Sequence, residues 1–212
     1  VVTVDGGGSG PARGTAAMND LRVVEGGSVA VHRGKVLAVG PSEDLAETFA
    51  PERRLDASGC AVLPGFVDAH THPVFARWRD DEFARRCRGE TYAQILAAGG
   101  GILASAKVLQ RTDVEALVGH LRWVFDHVLL HGTTTLEAKS GYGLTTEAEV
   151  ASLEALRLAS RGAPLTVVRT FLGAHALPKE HEAKRSVYVR EVTHAMLPIV
   201  AKARLAEFCD VF

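Results

Sequence analysis

Two patterns of apolar and polar positions divide the chain near residue 61. Before it, Val29 and Val31, then Val36 and Val39, lie in two short β-patterned stretches on either side of Arg33-Gly34. That arrangement predicts a hairpin in a small, Gly-rich β-domain. Arg33 stands where a type I′ turn prefers Asn, Asp or Gly, so the turn type is open. After residue 61 short apolar runs alternate with longer amphipathic segments, which predicts an α/β unit with a parallel sheet. The expected boundaries are 1–62 for the β-domain and 63–212 for the α/β unit.

Four runs read as buried strands because β-branched, aromatic and aliphatic residues fill them: Ala61 to Val67, Thr133 to Leu136, Leu165 to Leu172 and Ala206 to Phe212. Helices lie between. One is expected to start on a capping box of Thr112 and Glu115, to run with Val114, Leu117, Val118, Leu121, Phe125 and Val128 at helical spacing, and to stop at Gly132. The next repeats that grammar with Thr146 and Glu149, then Val150, Leu153 and Leu156, and a stop near Gly162. Residues 187 to 205 are helical by composition, with Pro198 expected to kink or break them. Beyond the βα alternation there is no repeat, and the longest low-complexity tract is Gly6 to Gly10.

Composition narrows the function classes. The 212 residues are 47% apolar and 23% charged, and 24 basic against 25 acidic residues leave a net charge of −1. Such a balance gives no electrostatic footprint for nucleic acid or an anionic membrane. No apolar run approaches the ~20 residues of a membrane span, and the N-terminus lacks a signal-peptide pattern, so a cytoplasmic location is expected. Cys60, Cys87 and Cys209 are widely spaced and form no CxxC, which predicts buried free thiols rather than a disulfide framework or zinc ribbon. The start on Val1 and the stop at Phe212 inside an apolar run lead us to expect a piece of a longer protein.

Candidate chemistry gathers where predicted strands end. Three runs finish in polar clusters: Asp68-Ala69-His70-Thr71-His72, Lys139-Ser140-Gly141-Tyr142-Gly143 and Gly173-Ala174-His175. In a parallel βα barrel the loops after the strands form one face, which holds the active site, so these clusters are expected to converge. His70 and His72 are two apart, and an extended chain sends both imidazoles to the same side while Thr71 points away. Neutral imidazoles in that arrangement supply half of a four-ligand zinc or iron site. A lone HxH is weak by itself; its place after the apolar run Ala61 to Val67 is what makes it a metal candidate and an expected buried ligand pair.

The stretch Pro64-Gly65-Phe66-Val67-Asp68-Ala69-His70-Thr71-His72 resembles the first-strand metal motif of the amidohydrolase superfamily. Three further stretches are similar to the imidazolonepropionases within it: Gly99-Gly100-Gly101-Ile102, Lys139-Ser140-Gly141-Tyr142-Gly143-Leu144 and Thr170-Phe171-Leu172-Gly173-Ala174-His175. Together with the β-patterned start and the closing Cys209-Asp210-Val211-Phe212, the resemblance covers nearly the whole chain. It implies a TIM-like (β/α)8 barrel of which about half is present, preceded by part of a small β-sandwich. The implied reaction is metal-dependent hydrolysis of the cyclic amide C–N bond of 4-imidazolone-5-propanoate to N-formimidoyl-L-glutamate, in histidine degradation. It further implies one zinc or iron ion, held here by His70 and His72, with the other two ligands and the general base expected beyond Phe212. Arg79 matches the arginine aimed at the substrate carboxylate, and a guanidinium fork suits that planar anion. Tyr142 and His175 match contacts to the imidazolone ring. The small-molecule substrate is the implied partner, and a homodimer is left open.

Each assignment has a plainer alternative. Arg79 lies in Arg77-Trp78-Arg79-Asp80-Asp81, which also reads as a solvated charge run; Tyr142 also reads as a turn aromatic and His175 as a strand-capping histidine. Lys139 is expected to be structural rather than a metal-bridging lysine. His127 and His131 have i, i+4 spacing, but Val128 stands where HExxH needs Glu, and at a helix end they more simply complement the macrodipole. Neither Gly6 to Gly8 nor Gly99 to Gly101 matches a nucleotide-binding loop, and Cys87 has no nucleophile signature. The rival readings are another cyclic amide or amidine hydrolase of the superfamily, and a non-catalytic scaffold of the same fold. The second accords poorly with two intact histidines. An isolated 212-residue chain is expected to lack turnover.

Overall fold

The structure, a computed structural model, describes residues 1–5 and 13–212. The tract Gly6 to Gly10 lies outside the described residues. The chain forms two compact units, Val1–Gly65 and Phe66–Phe212. No helix among the described residues is long and apolar enough to cross a membrane.

In the first unit, α1 (Gly14–Asn19) precedes an antiparallel pair, β1 (Gly27–His32) and β2 (Lys35–Pro41), which leads into α2 (Ser42–Thr48). The hairpin turns on two left-handed residues, Arg33 with φ 49° and Gly34 with φ 73°. Positive φ at both central positions is the type I′ pattern, so Arg33 accepts a backbone strain that Gly34 avoids. Val29 pairs with Val39 and Val31 with Val36, and the register slips between Ala30 and Val31. That bulge explains why the valines are two apart on β1 and three apart on β2.

The second unit contains β3 (Phe66–Thr71), α3 (Asp80–Cys87), α4 (Tyr92–Ala97), α5 (Gly101–Leu109), α6 (Val114–Leu130), β4 (Thr133–Lys139), α7 (Thr146–Ala159), β5 (Thr166–Ala174), α8 (Arg185–Glu191), α9 (Leu197–Ala203) and β6 (Phe208–Val211). Its sheet is parallel throughout, in the order β3-β4-β5-β6, as the βα alternation predicts. Leu117, Leu121 and Phe125 recur every four residues along α6. They share one core with Leu153 and Leu156 of α7, Leu136 and Ala138 of β4, and Phe171 of β5. Each large side chain so buried contributes roughly 1.5–3 kcal/mol, which makes α6, α7 and the two central strands the rigid part of the unit.

Several expectations need correction. β3 starts at Phe66 rather than Ala61, because Pro64 has no N–H to give a ladder; Phe66 N–H makes the first bond, to Gly132 O at 2.9 Å. Only β4 and β5 are buried. β3 and β6 are the sheet's edges, where Val67 is 67% and Val211 76% exposed. The helix caps move by one residue: Asp113 caps α6 by accepting from Ala116 N–H at 2.7 Å, while the Thr112 hydroxyl donates to Val108 O and closes α5. Thr145 caps α7 in the same way, which frees Glu149 for another role. Pro198 sits in the first turn of α9, directly after a widened π turn at Val192–Met196, so it perturbs the helical stretch without ending it. All three cysteines are free but exposed, not buried: Cys87 ends α3 and Cys209 lies on the edge strand β6. The Nδ1–H groups of His127 and His131 donate to Trp123 O and His127 O, at 2.7 and 2.8 Å, so these rings complete the last turn of α6.

Candidate metal and substrate site

Parallel pairing puts the C-terminal ends of β3, β4 and β5 side by side, and their polar clusters meet there. The ring centroids of His70 and His72 are 5.2 Å apart. His72 stacks on His175 at 4.8 Å and 14°, and Tyr142 lies 5.6 Å from His72 and 5.3 Å from His175. Four of the five residues singled out from the sequence therefore form one group. The fifth, Arg79, lies close enough for its charge to act on the Tyr142 phenol.

Burial pushes the His72 imidazole down to about 4, helped by the nearness of His175, His70 and the Lys139 ammonium. The ring is thus neutral at pH 7, the state a metal ligand needs. Its Nδ1 is buried and has no hydrogen-bond partner among the described residues, which fits a nitrogen that binds a metal. His70, by contrast, is exposed on the edge strand, so the expectation of a buried pair holds only in part. The donor chemistry fits two positions of a metal site. Among the described residues no three His, Cys, Asp or Glu side chains come together to hold an ion, so a closed coordination set needs further donors.

The backbone between the two histidines is pinned from β4. The β3–β4 register breaks between Asp68 and Thr71. Thr71 N–H donates to the Glu137 carboxylate at 3.2 Å, and the Thr71 hydroxyl to Glu137 O at 2.6 Å. The buried Lys139 ammonium donates to Glu137 at 2.8 Å and to Asp210 at 2.9 Å. Burial works against that ammonium, but its bonds to the two carboxylates outweigh burial and raise its pKa. Through Lys139 these contacts join Glu137 of β4 to Asp210 of β6.

The loop Ser140 to Leu144 is held from α7. Glu149, fully buried, accepts N–H bonds from Gly141, Gly143 and Leu144 at 2.8, 2.8 and 2.9 Å. Gly141 has φ 111°, and a Cβ there would lie 2.9 Å from Leu172 O and 3.0 Å from His175 Nδ1. That close approach lets His175 Nδ1–H donate to Gly141 O at 2.8 Å, which leaves Nε2 turned away from the loop backbone's carbonyl. Burial raises the Tyr142 pKa against the pull of Arg79, so the phenol keeps its proton. Gln110 reaches the same loop, its amide donating to Gly143 O at 2.8 Å.

Arg79 directs Nε and Nη2 to one oxygen of Glu82, at 2.8 and 2.6 Å. Burial would raise the Glu82 pKa, but Arg79 and the Gly101 N–H, at 2.8 Å, hold it below the usual carboxylate value. No hydrogen bond from Arg79 Nη1 occurs among the described residues, and the side chain is about one-third exposed. Glu82 also explains Gly100: a Cβ there would lie 2.9 Å from its carboxylate and 2.8 Å from Ile95. Glu82 and Glu137 escape the sequence reading and Glu149 enters it only as half of a capping box, although a carboxylate directly after the strand-like run Thr133 to Leu136 is itself a signal.

No family model matches the chain. It is similar to the imidazolonepropionase of Geobacillus thermodenitrificans (strain NG80-2), 46% identical over 92% of this chain and 47% of that protein. It is 45% identical to the imidazolonepropionase of Haloarcula marismortui over 91% of the chain and 46% of the relative, and 45% identical to that of Symbiobacterium thermophilum over 96% and 48%. The chain spans about half the length of the curated relatives it matches. Matched so closely along nearly all of its own residues, the chain is a relative of the imidazolonepropionases and corresponds to about half of their length.

Proposed function

We propose that the full-length protein is an imidazolonepropionase: a metal-dependent hydrolase that opens the ring of 4-imidazolone-5-propanoate to N-formimidoyl-L-glutamate. The observation that carries this reading is the convergence of His70, His72, Tyr142 and His175 at the ends of parallel strands, in a chain similar to proteins of that name. The second unit, Phe66–Phe212, then forms about half of a (β/α)8 barrel, and the first, Val1–Gly65, part of a β-sandwich. A cytoplasmic location goes with a role in amino-acid breakdown.

His70 and His72 are the proposed ligands of one zinc or iron ion. When bound, such an ion supplies Lewis acidity and acidifies water for attack on a carbonyl carbon. The remaining roles belong to binding. The Nη1 side of the Arg79 fork takes the propionate carboxylate, and Glu82 fixes its plane. Tyr142 and His175 grip the imidazolone ring from one side, the phenol as a donor and His175 Nε2 as an acceptor. Both are set by the loop that Glu149 holds. Orientation of this kind lowers the barrier by fixing the reacting bond before attack.

The test is turnover by full-length protein, with product identified by mass spectrometry before and after chelation. Formation of N-formimidoyl-L-glutamate that stops on metal removal and returns with zinc or ferrous iron supports the reading. An intact imidazolone in every condition, with metal bound, refutes it.

A further inference from the structure

We propose that Glu137, kept in place by Lys139 and Asp210, is a positioning residue that sets the aim of His70 and His72 toward a shared metal ion. The inference rests on the metal reading given above. Its ground is the break in the β3–β4 ladder. Regular pairing ends at Asp68 and resumes at Thr71, so His70 lies within an irregular stretch and His72 just beyond the strand. Bulges of this kind re-aim side chains beside functional sites, but they also give up the ladder bonds that would hold the chain.

Glu137 replaces those bonds twice over. Its main-chain carbonyl takes the Thr71 hydroxyl at 2.6 Å and its carboxylate takes the Thr71 N–H at 3.2 Å. Thr71 is the residue between the two histidines, so fixing its N–H and side chain fixes the directions in which both neighbours leave the backbone. The carboxylate is not free to swing, because its other oxygen receives the buried Lys139 ammonium at 2.8 Å. That ammonium is held in turn by Asp210 of β6 at 2.9 Å. A line of charge-assisted bonds therefore runs from β6 through β4 to Thr71, between the histidines. Preorganised ligands bind a metal more tightly than ligands that must be ordered on binding, and the partners that orient them are worth about tenfold to a hundredfold in affinity.

Full-length protein carries the test, with zinc as the probe in competition with a chromophoric chelator and the visible spectrum of the cobalt-substituted protein as a second readout. Glu137→Gln keeps the shape but offers one acceptor oxygen, so it loses either the Lys139 ammonium or the Thr71 N–H, and it is expected to raise the zinc dissociation constant by about tenfold to a hundredfold and to shift the cobalt band. Thr71→Val removes one neutral hydrogen bond and is expected to weaken zinc by about fivefold. If Glu137→Gln does not fold, Thr71→Val decides by the same two readouts. Wild-type zinc affinity and an unshifted cobalt band in these variants, with binding lost in His72→Ala, would overturn the inference and leave the metal reading standing. Retention of zinc by His72→Ala would instead overturn that reading.

Discussion

Glu149→Gln is the substitution that most sharply separates a held loop from an incidental one. The carboxylate is fully buried and both oxygens are used, one by Gly141 N–H at 2.8 Å and the other by Gly143 and Leu144 at 2.8 and 2.9 Å, with the Ser140 hydroxyl as a further donor. An amide has one acceptor oxygen. In the better orientation that oxygen keeps Gly143 and Leu144, and the NH2 group then faces the Gly141 N–H, donor against donor. The other orientation blocks two donors and is worse. Losing one bond to a charged group costs about 1.5–3 kcal/mol, and stranding the Gly141 N–H adds to it. Removing a buried charge returns part of this, since burial already pushes the Glu149 pKa up. The expected net loss is about 2 kcal/mol, or about 4–8 °C in Tm for a unit of this size. Because Gly141 O also receives His175 Nδ1–H and Tyr142 is the next residue, KM should rise about tenfold while metal content stays unchanged. Urea unfolding and steady-state kinetics of the full-length protein check both. A variant within about 0.5 kcal/mol of wild type and with wild-type KM would refute the idea that Glu149 builds the loop.

Other outcomes follow from the same geometry. Arg79→Met should raise KM by about tenfold to a hundredfold with little change in kcat or bound metal, read from steady-state kinetics and metal analysis. Glu82 has a folded pKa below its ordinary 4.5, so its contribution to stability is present above that value and is lost as pH falls through the lower folded one. Urea midpoints of the wild type should therefore fall below about pH 4.5, and in Arg79→Met that fall should shrink or reverse, because burial then dominates. Cys60 and Cys87 are exposed and should react with an aromatic disulfide reagent in the native state, which absorbance at the released thiolate's band would record.

Periodicity made the α/β unit legible because α6 and α7 carry apolar residues every three or four positions and Gly132 and Gly162 take positive φ where the helices end. It did not tell edge from centre: Val67 and Val211 look as apolar as Leu136 and Phe171, and only the strand order decides which are covered. The caps slipped by one because Thr112-Asp113 and Thr145-Thr146 each offer two adjacent capping side chains, and extended φ/ψ at the second or first of them settles the choice. The meeting of the three polar clusters was readable from strand ends, whereas Tyr142 and His175 were singled out within them only by the family resemblance. The carboxylates behind them were not, since Glu82, Glu137 and Glu149 act on backbone N–H groups or on basic side chains that lie far away in sequence or look like mere surface charge.

The measurement that bears most directly on the account is metal bound per chain in the full-length wild type, His70→Ala and His72→Ala. Each imidazole is a direct bond to the ion, so about one zinc or iron in the wild type and a large loss in both variants is the predicted result. Undiminished metal in either variant would remove that histidine from the site and contradict the account.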